Sequence, residues 1–260
     1  MPEMLEIEFY RRAAERTVGR TISRVGAPDA WYLKAGLTAA ALRRAVTGRT
    51  VSAIRRRGKL LLLDTGDGPT VGLRFGMTGR LLVDGVPGME HLEYGSDREE
   101  LAWDRLILEF AEGGELRIRD PRRLGGVELD PDEDRLGPDA LDITPAQLRD
   151  IIGSSRAPLK ARLMDQHALA GVGNLLVDEA LWRAGIDPAR PANSLSPAEL
   201  RRLHRHLRAT LVELAERGGS HTGDLQEERR RDGICPKDGT PLQRRTVGGR
   251  TTYSCPLHQH

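Results

Sequence analysis

The feature that most constrains the fold is a series of short apolar runs, separated by turn residues, between positions 21 and 130. Six of these runs have the length and composition of β-strands, at residues 51–54, 60–63, 71–75, 81–83, 105–110 and 116–119. Glycine and aspartate fill the intervals, as in the segment DTGDG at 64–68. Many short strands in succession predict a β-sandwich or a barrel.

Helical patterns flank this β-rich stretch. Leu5, Phe9 and Ala13 recur at helical spacing near the N-terminus, and the pattern ends at Gly19. Further along, the segments TPAQ at 144–147 and SPAE at 196–199 have the form of capping boxes with proline at the first helical position. We therefore predict an α+β fold, with an N-terminal β-sandwich domain that carries an N-terminal helix, followed by a helical domain.

The predicted organisation has four segments. The β domain occupies residues 1–130, and an acidic, proline-containing linker occupies 131–143. The helical domain follows at 144–228, and a small hairpin finger bracketed by two cysteines occupies 229–260. The sequence contains no internal repeat.

Composition limits the classes of function. No apolar run approaches the roughly 18 residues of a membrane span, and the acidic N-terminus does not resemble a signal peptide. Two cysteines are too few for a disulfide framework, so we expect a cytoplasmic protein. Residues 156–260 hold 17 Lys and Arg against 12 Asp and Glu. This basic balance favours a polyanionic partner, although charged stretches are also common on ordinary solvated surfaces.

The first motif with chemical content is Met1-Pro2-Glu3. Removal of Met1 would leave a secondary amine on Pro2, and an α-amino group has a pKa of about 7.7–8.0, so part of it is neutral near physiological pH. A neutral amine can attack a sugar C1′ and form an iminium, while the adjacent carboxylate of Glu3 transfers protons. The alternative is an ordinary helix start.

The second motif is the segment PLKARLMDQH at 158–167, followed by GVGN at 171–174. It predicts a helix, a glycine-bearing turn and a second helix capped by Asn174. Such a turn lets the backbone approach a phosphate, and the helix N-terminus offers free N–H groups. Lys160 and Asn174 are candidates for a phosphate clamp, and an ordinary loop is the alternative.

The third motif pairs Cys235-Pro-Lys-Asp238 with Cys255-Pro-Leu-His258, with sixteen residues between the two segments. Two such knuckles around a hairpin are typical of a zinc ribbon, and Zn²⁺ accepts cysteine, histidine and carboxylate ligands. A metal-free hairpin and a disulfide are the alternatives.

Together these motifs resemble the formamidopyrimidine-DNA glycosylase/endonuclease VIII family along nearly the whole chain. The segments that agree in order and spacing are Pro2-Glu3, RGKL at 57–60, GMTG at 76–79, DPRRLG at 120–125, LGP at 136–138, Lys160 with LMD at 163–165, GVGN at 171–174 and the paired knuckles. The resemblance implies a bifunctional DNA glycosylase and AP lyase of base-excision repair. It further implies a catalytic β-sandwich, a helix–two-turn–helix domain and a zinc-ribbon-like finger with a structural Zn²⁺.

The resemblance also implies residue roles. Pro2 is the nucleophile, Glu3 its acid/base partner, and Lys59 holds a phosphate beside the lesion. The DNA backbone is bound by Lys160, Asn174 and Arg250, and the zinc ligands are Cys235, Asp238, Cys255 and His258. Because a base cannot be excised inside the stack, Met77, Arg122 and Leu124 are expected to fill the space left by the flipped nucleotide.

Further expectations concern the partner and the setting. The resemblance implies a monomer that binds damaged double-stranded DNA, with no membrane, in a bacterial-type cytoplasm where the bound protein is associated with the nucleoid. The basic run at 229–231, beside the finger, is expected to face phosphate. Core packing is the alternative role for Met77 and Leu124, and solvated loop positions are the alternative for His221 and Asp224, which could contact substrate.

The sequence departs from the family pattern at four places. Leu5 stands where a second proline is usual, and Leu124 where a phenylalanine is typical, so the preference for the opposite base is in doubt. Asp238 and His258 replace two of four cysteines. Finally, the stretch at 218–235 is short where enzymes that bind 8-oxoguanine carry a longer loop, which argues against that lesion as the sole substrate.

Three other functions compete with this prediction. They are an AP lyase with little base excision, a catalytically idle protein that binds damaged DNA, and a zinc-ribbon transcription or RNA-binding factor. The Pro2-Glu3 start favours an enzyme, because a binding module needs neither residue. The third alternative leaves the N-terminal motifs unexplained.

Overall fold

The structure is a computed structural model that describes residues 2–96, 98 and 100–260. The chain divides into two compact units, Met1–Glu133 and Asp134–His260. Met1, whose removal the sequence analysis requires, lies outside the described residues. Within the described part of the chain, no helix has the length and apolar character needed to cross a membrane.

The described residues of the N-terminal unit form two helices and nine strands. Their bounds are α1 Met4–Ala14, β1 Ile22–Gly26, α2 Ala39–Val46, β2 Ala53–Arg57, β3 Leu60–Asp64, β4 Val71–Arg74, β5 Arg80–Val83, β6 Val86–Pro87, β7 Asp104–Phe110, β8 Glu115–Arg119 and β9 Gly126–Leu129. Short 3₁₀ turns lie at Glu15–Thr17, Ala30–Tyr32 and Leu101–Trp103.

The strands form two antiparallel sheets, in the orders β1-β7-β8-β5-β6 and β2-β3-β4-β9. Buried side chains from both sheets belong to one apolar cluster, for example Leu61 and Leu73 from one sheet with Leu108 and Ile118 from the other. Tyr10 brings α1 into the same cluster. The β-sandwich with an N-terminal helix is therefore confirmed.

All six strand runs predicted from the sequence overlap strands of this sandwich, although the run at 51–54 begins two residues before β2. Strands β1, β6 and β9 and helix α2 were not predicted from the sequence. The start of α2 carries a local signal, because the Thr38 hydroxyl accepts a hydrogen bond from the Ala41 N–H at 3.1 Å, which is the usual role of an N-cap residue.

The C-terminal unit contains four helices and one hairpin, namely α3 Pro145–Gly153, α4 Leu159–Met164, α5 Asn174–Ala184, α6 Pro197–Arg217, β10 Gln243–Val247 and β11 Arg250–Ser254. Further 3₁₀ turns lie at Glu133–Arg135, Ala192–Ser194, Ser220–Thr222 and Gln226–Glu228. Both predicted capping boxes are present, at the starts of α3 and α6. The hairpin finger belongs to this unit. The predicted boundaries at 130, 143 and 228, which separate the β domain, the linker, the helical domain and the finger, stay predictions.

We expect Leu61→Ala to lower the free energy of unfolding by about 2–5 kcal/mol, because it leaves a cavity in the sandwich core. Leu61 is fully buried in the central part of the apolar cluster. Urea unfolding followed by circular dichroism measures the change. The control is Val86→Ala on the exposed strand β6, with an expected change within about 0.5 kcal/mol, and equal effects of the two variants would contradict this core assignment.

Candidate functional site

The N-terminal residues lie at the head of α1. Pro2 is buried, and the side chain of Glu3, the N-cap residue, is also buried. The backbone N–H of Glu3 donates to Glu6 Oε2 at 2.7 Å, which is one half of a capping box. Two carboxylates therefore lie within one helical turn of Pro2.

Lys59 lies on the two-residue turn between β2 and β3, where Gly58 has a φ of +57°. Glycine adopts this left-handed conformation without steric cost. Helix α1 packs against both strands of this hairpin, and Arg56 Nε lies 3.4 Å from Glu8 Oε2. The N-terminal helix and the turn that carries Lys59 are thus neighbouring parts of one unit.

Two loops carry the residues predicted to fill a vacated base position. Met77 lies half-buried on the turn after β4, and Leu124, with 52% of its surface exposed, lies on the loop after β8. A Cβ at Gly76 would lie 2.4 Å from the carbonyl carbon of Leu124. Only glycine at this position permits the close approach of the two loops. The exposure of Leu124 contradicts its alternative role in core packing.

Asp120 joins these two loops. Its fully buried carboxylate accepts a hydrogen bond from the Thr78 hydroxyl at 2.6 Å through Oδ1. It also accepts from the backbone N–H of Arg122 at 3.2 Å and from that of Gly125 at 3.0 Å. The sequence analysis assigned no role to Asp120, although an aspartate at the start of a turn commonly bonds to the backbone two residues on.

In the C-terminal unit, Asn174 is half-buried and is the first residue of α5, whose N-cap is Gly173, so the prediction that Asn174 caps this helix is wrong. Its Oδ1 has no hydrogen-bond partner among the described residues. Gln166, which the sequence analysis also missed, shapes the preceding turn. It accepts from the Gly171 N–H at 3.0 Å and donates to the Val172 carbonyl at 3.0 Å and to the Met164 carbonyl at 2.7 Å.

The structure corrects the role predicted for Lys160. This side chain is fully buried, and its Nζ lies 2.7 Å from Asp178 Oδ1 in an internal ion pair. The ammonium also donates to Thr252 Oγ1 at 2.7 Å and to the Thr251 carbonyl at 3.1 Å. Lys160 therefore binds the hairpin rather than an external phosphate.

The three arginines of the basic run at 229–231 differ in their exposure and in their partners. Arg229 is almost fully buried and forms an ion pair with the second oxygen of Asp178. Arg230 lies 3.4 Å from Glu228, whereas the side chain of Arg231 is 96% exposed. The expectation that the whole run faces phosphate is therefore wrong for Arg229.

The candidate Asp224 forms ion pairs with two arginines of the same unit.

Arg250 is exposed at the first position of β11, directly after the hairpin turn. The turn residues Gly248 and Gly249 have φ values of +57° and +72°, as two-residue hairpin turns require. A Cβ at Gly248 would lie 2.7 Å from the Cβ of Ala161. The turn therefore packs closely on α4 while Arg250 points away from the unit's interior.

Four side chains of the finger form a compact cluster. The ligand atoms of Cys235, Asp238, Cys255 and His258 all lie within 4.8 Å of one another, and both cysteines carry free thiols. His258 Nδ1 lies 2.8 Å from Asp238 Oδ2 and 3.6 Å from Cys235 Sγ. These oxygen, nitrogen and sulfur donors could hold a metal ion, and the alternative of a disulfide is wrong.

The surroundings of the cluster suit a metal. His258 Nε2 lies 3.2 Å from the Trp182 carbonyl, so a proton on Nε2 leaves Nδ1 as the donor atom. The Trp182 indole N–H donates to Cys235 Sγ at 3.3 Å. Hydrogen bonds, the largest from the backbone N–H of Thr240, hold the pKa of Asp238 well below its ordinary value.

Comparison with known proteins identifies this arrangement. Residues 1–127 match the formamidopyrimidine-DNA glycosylase N-terminal domain, and residues 136–225 match the H2TH domain of the same enzymes. The chain belongs to the formamidopyrimidine-DNA glycosylase/endonuclease VIII family.

Relatives and solved structures agree over the full length. The formamidopyrimidine-DNA glycosylase of Thermus thermophilus is 37% identical, with 100% of this chain and 98% of the relative covered. That of Paracoccus denitrificans is 36% identical, with both chains fully covered. The structure of MutM bound to DNA that contains carbocyclic 8-oxo-G matches with a TM-score of 0.83 at 30% identity, over 100% of both chains. The Lactococcus lactis enzyme bound to DNA containing Fapy-dG also has a TM-score of 0.83, at 29% identity, with 99% of this chain and 100% of that chain covered.

The matched domains contain the N-terminal and helical candidates, from Pro2 to Asn174. Arg250 and the metal cluster lie beyond residue 225, outside both matched domains. The assignment of the metal cluster therefore rests on the geometry of this chain, in which Asp238 and His258 complete the cluster with the two cysteines.

We expect Asp120→Ala to loosen the loop that carries Leu124, because it leaves three donors without their shared acceptor, each at a cost of about 1–3 kcal/mol. Trypsin cleavage after Arg122 or Arg123 measures this loosening, and we expect it to become several-fold faster. Asp120→Asn, which keeps one carbonyl acceptor, is the matched control with a smaller effect. Unchanged cleavage of Asp120→Ala would contradict the positioning role.

Proposed function

We propose that this chain is a bifunctional DNA glycosylase and AP lyase of base-excision repair, with the amine of Pro2 as its nucleophile. The observation that carries the proposal is the Pro2-Glu3 pair, buried at the head of α1, in a chain that matches DNA glycosylases from end to end. The broader part of the proposal, repair of damaged bases, is supported by relatives that are formamidopyrimidine-DNA glycosylases.

The chemistry requires a neutral amine after removal of Met1. Burial favours the neutral form, because desolvation penalises the ammonium. The amine attacks C1′ of the flipped nucleotide, the bond from C1′ to the base breaks, and the base leaves with a proton. Loss of the amine proton leaves a neutral aminal. Its nitrogen lone pair then forms the C1′=N bond of the iminium as the C1′–O4′ bond breaks, and Glu3 donates the proton that O4′ takes up. Removal of a proton from C2′ of the iminium then expels the 3′ phosphate, which cleaves the strand.

Groups from each unit support DNA binding in this proposal. Lys59 and Arg250 are the phosphate-binding cations, and Asn174 contacts the backbone at the start of α5, where helix N–H groups favour anions. Met77, Arg122 and Leu124 occupy the space of the flipped nucleotide. Damaged double-stranded DNA is the proposed partner, and the structures of the relatives hold DNA that contains carbocyclic 8-oxo-G or Fapy-dG.

The short stretch before the finger bears on the lesion. Glu179 of α5 accepts hydrogen bonds from the backbone N–H groups of Asp224 and Leu225 at 3.1 and 3.0 Å. A Cβ at Gly223 would lie 2.6 Å from Glu179 Oε2. Because this stretch is short and bound to α5, we propose an open lesion pocket that accepts ring-opened or hydantoin purines and oxidised pyrimidines as well as 8-oxoguanine.

We propose a structural Zn²⁺ in the finger, held by Cys235, Asp238, Cys255 and His258. When bound, zinc supplies cross-linking of the two knuckles and no chemistry on DNA. Metal analysis of the purified protein should give about one zinc per chain, and Cys235→Ser should remove it. A zinc-free protein with an intact fold would contradict the site.

Borohydride trapping tests the nucleophile. We expect a covalent complex with duplexes that carry an abasic site or a damaged base, because borohydride reduces the iminium to a stable amine. Pro2→Gly should reduce trapping by at least tenfold while binding of an abasic-analogue duplex changes little. A variant that retains Met1 is the second control. Trapping at abasic sites alone would favour an AP lyase, and binding without trapping on any substrate would favour a catalytically idle protein.

The salt dependence of DNA binding distinguishes the proposed role of Arg250, a phosphate contact, from that of Lys160, an internal ion pair. Arg250→Ala should lower the slope of log K against log salt concentration by about one, because one phosphate contact is lost. Lys160→Met should leave that slope unchanged, because the ammonium lies in an internal ion pair. Titration of a labelled duplex at several salt concentrations measures both. Because Lys160 also bonds to β11, the slope is measured on protein that circular dichroism shows to be folded, and a lower slope for Lys160→Met with the fold intact would contradict its internal role.

A further inference from the structure

Trp31 is an exposed indole with no role in the proposed chemistry. Its side chain lies on the short turn after β1, and 68% of its surface is exposed. Trp103 is half-buried and Trp182 is buried, so Trp31 is the tryptophan most accessible to a partner. An indole that does contact a partner contributes strongly to binding, because tryptophan is enriched among the residues that carry most of the energy of an interface.

Hydrogen bonds and a buried neighbour fix the conformation of the turn that presents Trp31. Asp29 Oδ1 accepts a hydrogen bond from the Trp31 N–H at 3.1 Å, and Lys34 Nζ donates to the Trp31 carbonyl at 2.7 Å. Tyr32 is fully buried, and its hydroxyl donates to the Arg74 carbonyl at 3.2 Å. The backbone of the turn that carries the indole is therefore preorganised, which lowers the entropic cost of binding.

The same turn is bonded to the loop that carries Arg122 and Leu124. Asp29 accepts two hydrogen bonds from Arg123, at 2.6 and 2.7 Å, and this pairing lowers the pKa of Asp29. A Cβ at Gly125 would lie 2.2 Å from the Tyr32 hydroxyl oxygen. The surface around Trp31 is thus continuous with the loop proposed to enter DNA.

The charge of this surface suits DNA better than an apolar partner. Lys34 Nζ lies 5.2 Å from the centroid of the Trp31 ring, and Arg122 and Arg123 are exposed on the adjoining loop. An aromatic face beside cations is a common means of binding nucleic acids, because bases or sugars pack on the ring while the cations lie near phosphates.

We propose that Trp31 and Lys34 form an additional DNA-contacting element, in which the indole packs on a nucleotide of the duplex that flanks the lesion and Lys34 lies near its phosphate. This inference rests on the proposed function, because the duplex is the one that the Arg122–Leu124 loop enters. It adds a contact outside the lesion pocket and the Pro2 chemistry.

Acrylamide quenching of tryptophan fluorescence tests the contact. Acrylamide is neutral, so the charge of DNA does not repel it. A duplex with a tetrahydrofuran abasic analogue is added to saturation, which the anisotropy of a label on its distal end reports. We expect the quenching constant of the wild type to fall at least twofold on binding, and that of Trp31→Phe to change little. An unchanged wild-type constant with the duplex bound would overturn the proposal.

Affinity provides the second measurement. Trp31→Ala should weaken binding of the same duplex about tenfold, as expected for loss of one aromatic packing contact. Val212→Ala, at an exposed apolar position on α6, is the matched control and should bind as the wild type does. Equal affinity of Trp31→Ala and wild type would overturn the contact. If the wild type gives no anisotropy change at all, DNA binding itself fails, which is a different result from binding without shielding of Trp31.

Discussion

Asp178 is the buried carboxylate on which the C-terminal unit depends. It lies on α5 and pairs with Lys160 from α4 and with Arg229 from the segment after α6. Removing charges from water costs several kcal/mol per ion, and loss of one partner of such a pair typically costs about 3–5 kcal/mol. Lys160 also bonds to the backbone and hydroxyl of β11. One ionic cluster therefore ties two helices, the basic segment and the hairpin that presents Arg250.

The N-terminal unit uses carboxylates for a related purpose. Asp120 accepts hydrogen bonds from both loops that carry the proposed inserting residues, and Asp29 joins the Trp31 turn to Arg123. Hydrogen bonds with an ionised acceptor are stronger than neutral ones, so a few buried acids can fix loops that lack regular structure. The exposed residues Arg122 and Leu124 can then be presented without being packed into the core themselves.

The finger shows how a changed ligand set can preserve a compact site. Two thiolates and one carboxylate carry one negative charge fewer than four thiolates do. With Zn²⁺ bound, the proposed site of Cys235, Asp238, Cys255 and His258 would therefore be less negative than a four-cysteine site. A less negative finger is favourable beside DNA phosphates, and the exposed Arg250 lies on the same hairpin. The hydrogen bond between His258 and the Trp182 carbonyl orients the ring.

The sequence by itself determined the family and much of the local structure, although not β1, β6, β9 or α2. The capping boxes at 144–147 and 196–199, the strand runs and the spaced motifs were all readable, because each depends on residues close together in the chain. Only the tertiary structure decided which cations face outward. Lys160 and Arg250 look alike as basic residues within motifs, but Lys160 bonds to Thr252, 92 residues away, and Arg250 remains exposed. Burial and charge pairing over such separations arise from packing, which local pattern does not encode, and for the same reason the linking roles of Asp120 and Asp178 became visible only in the fold.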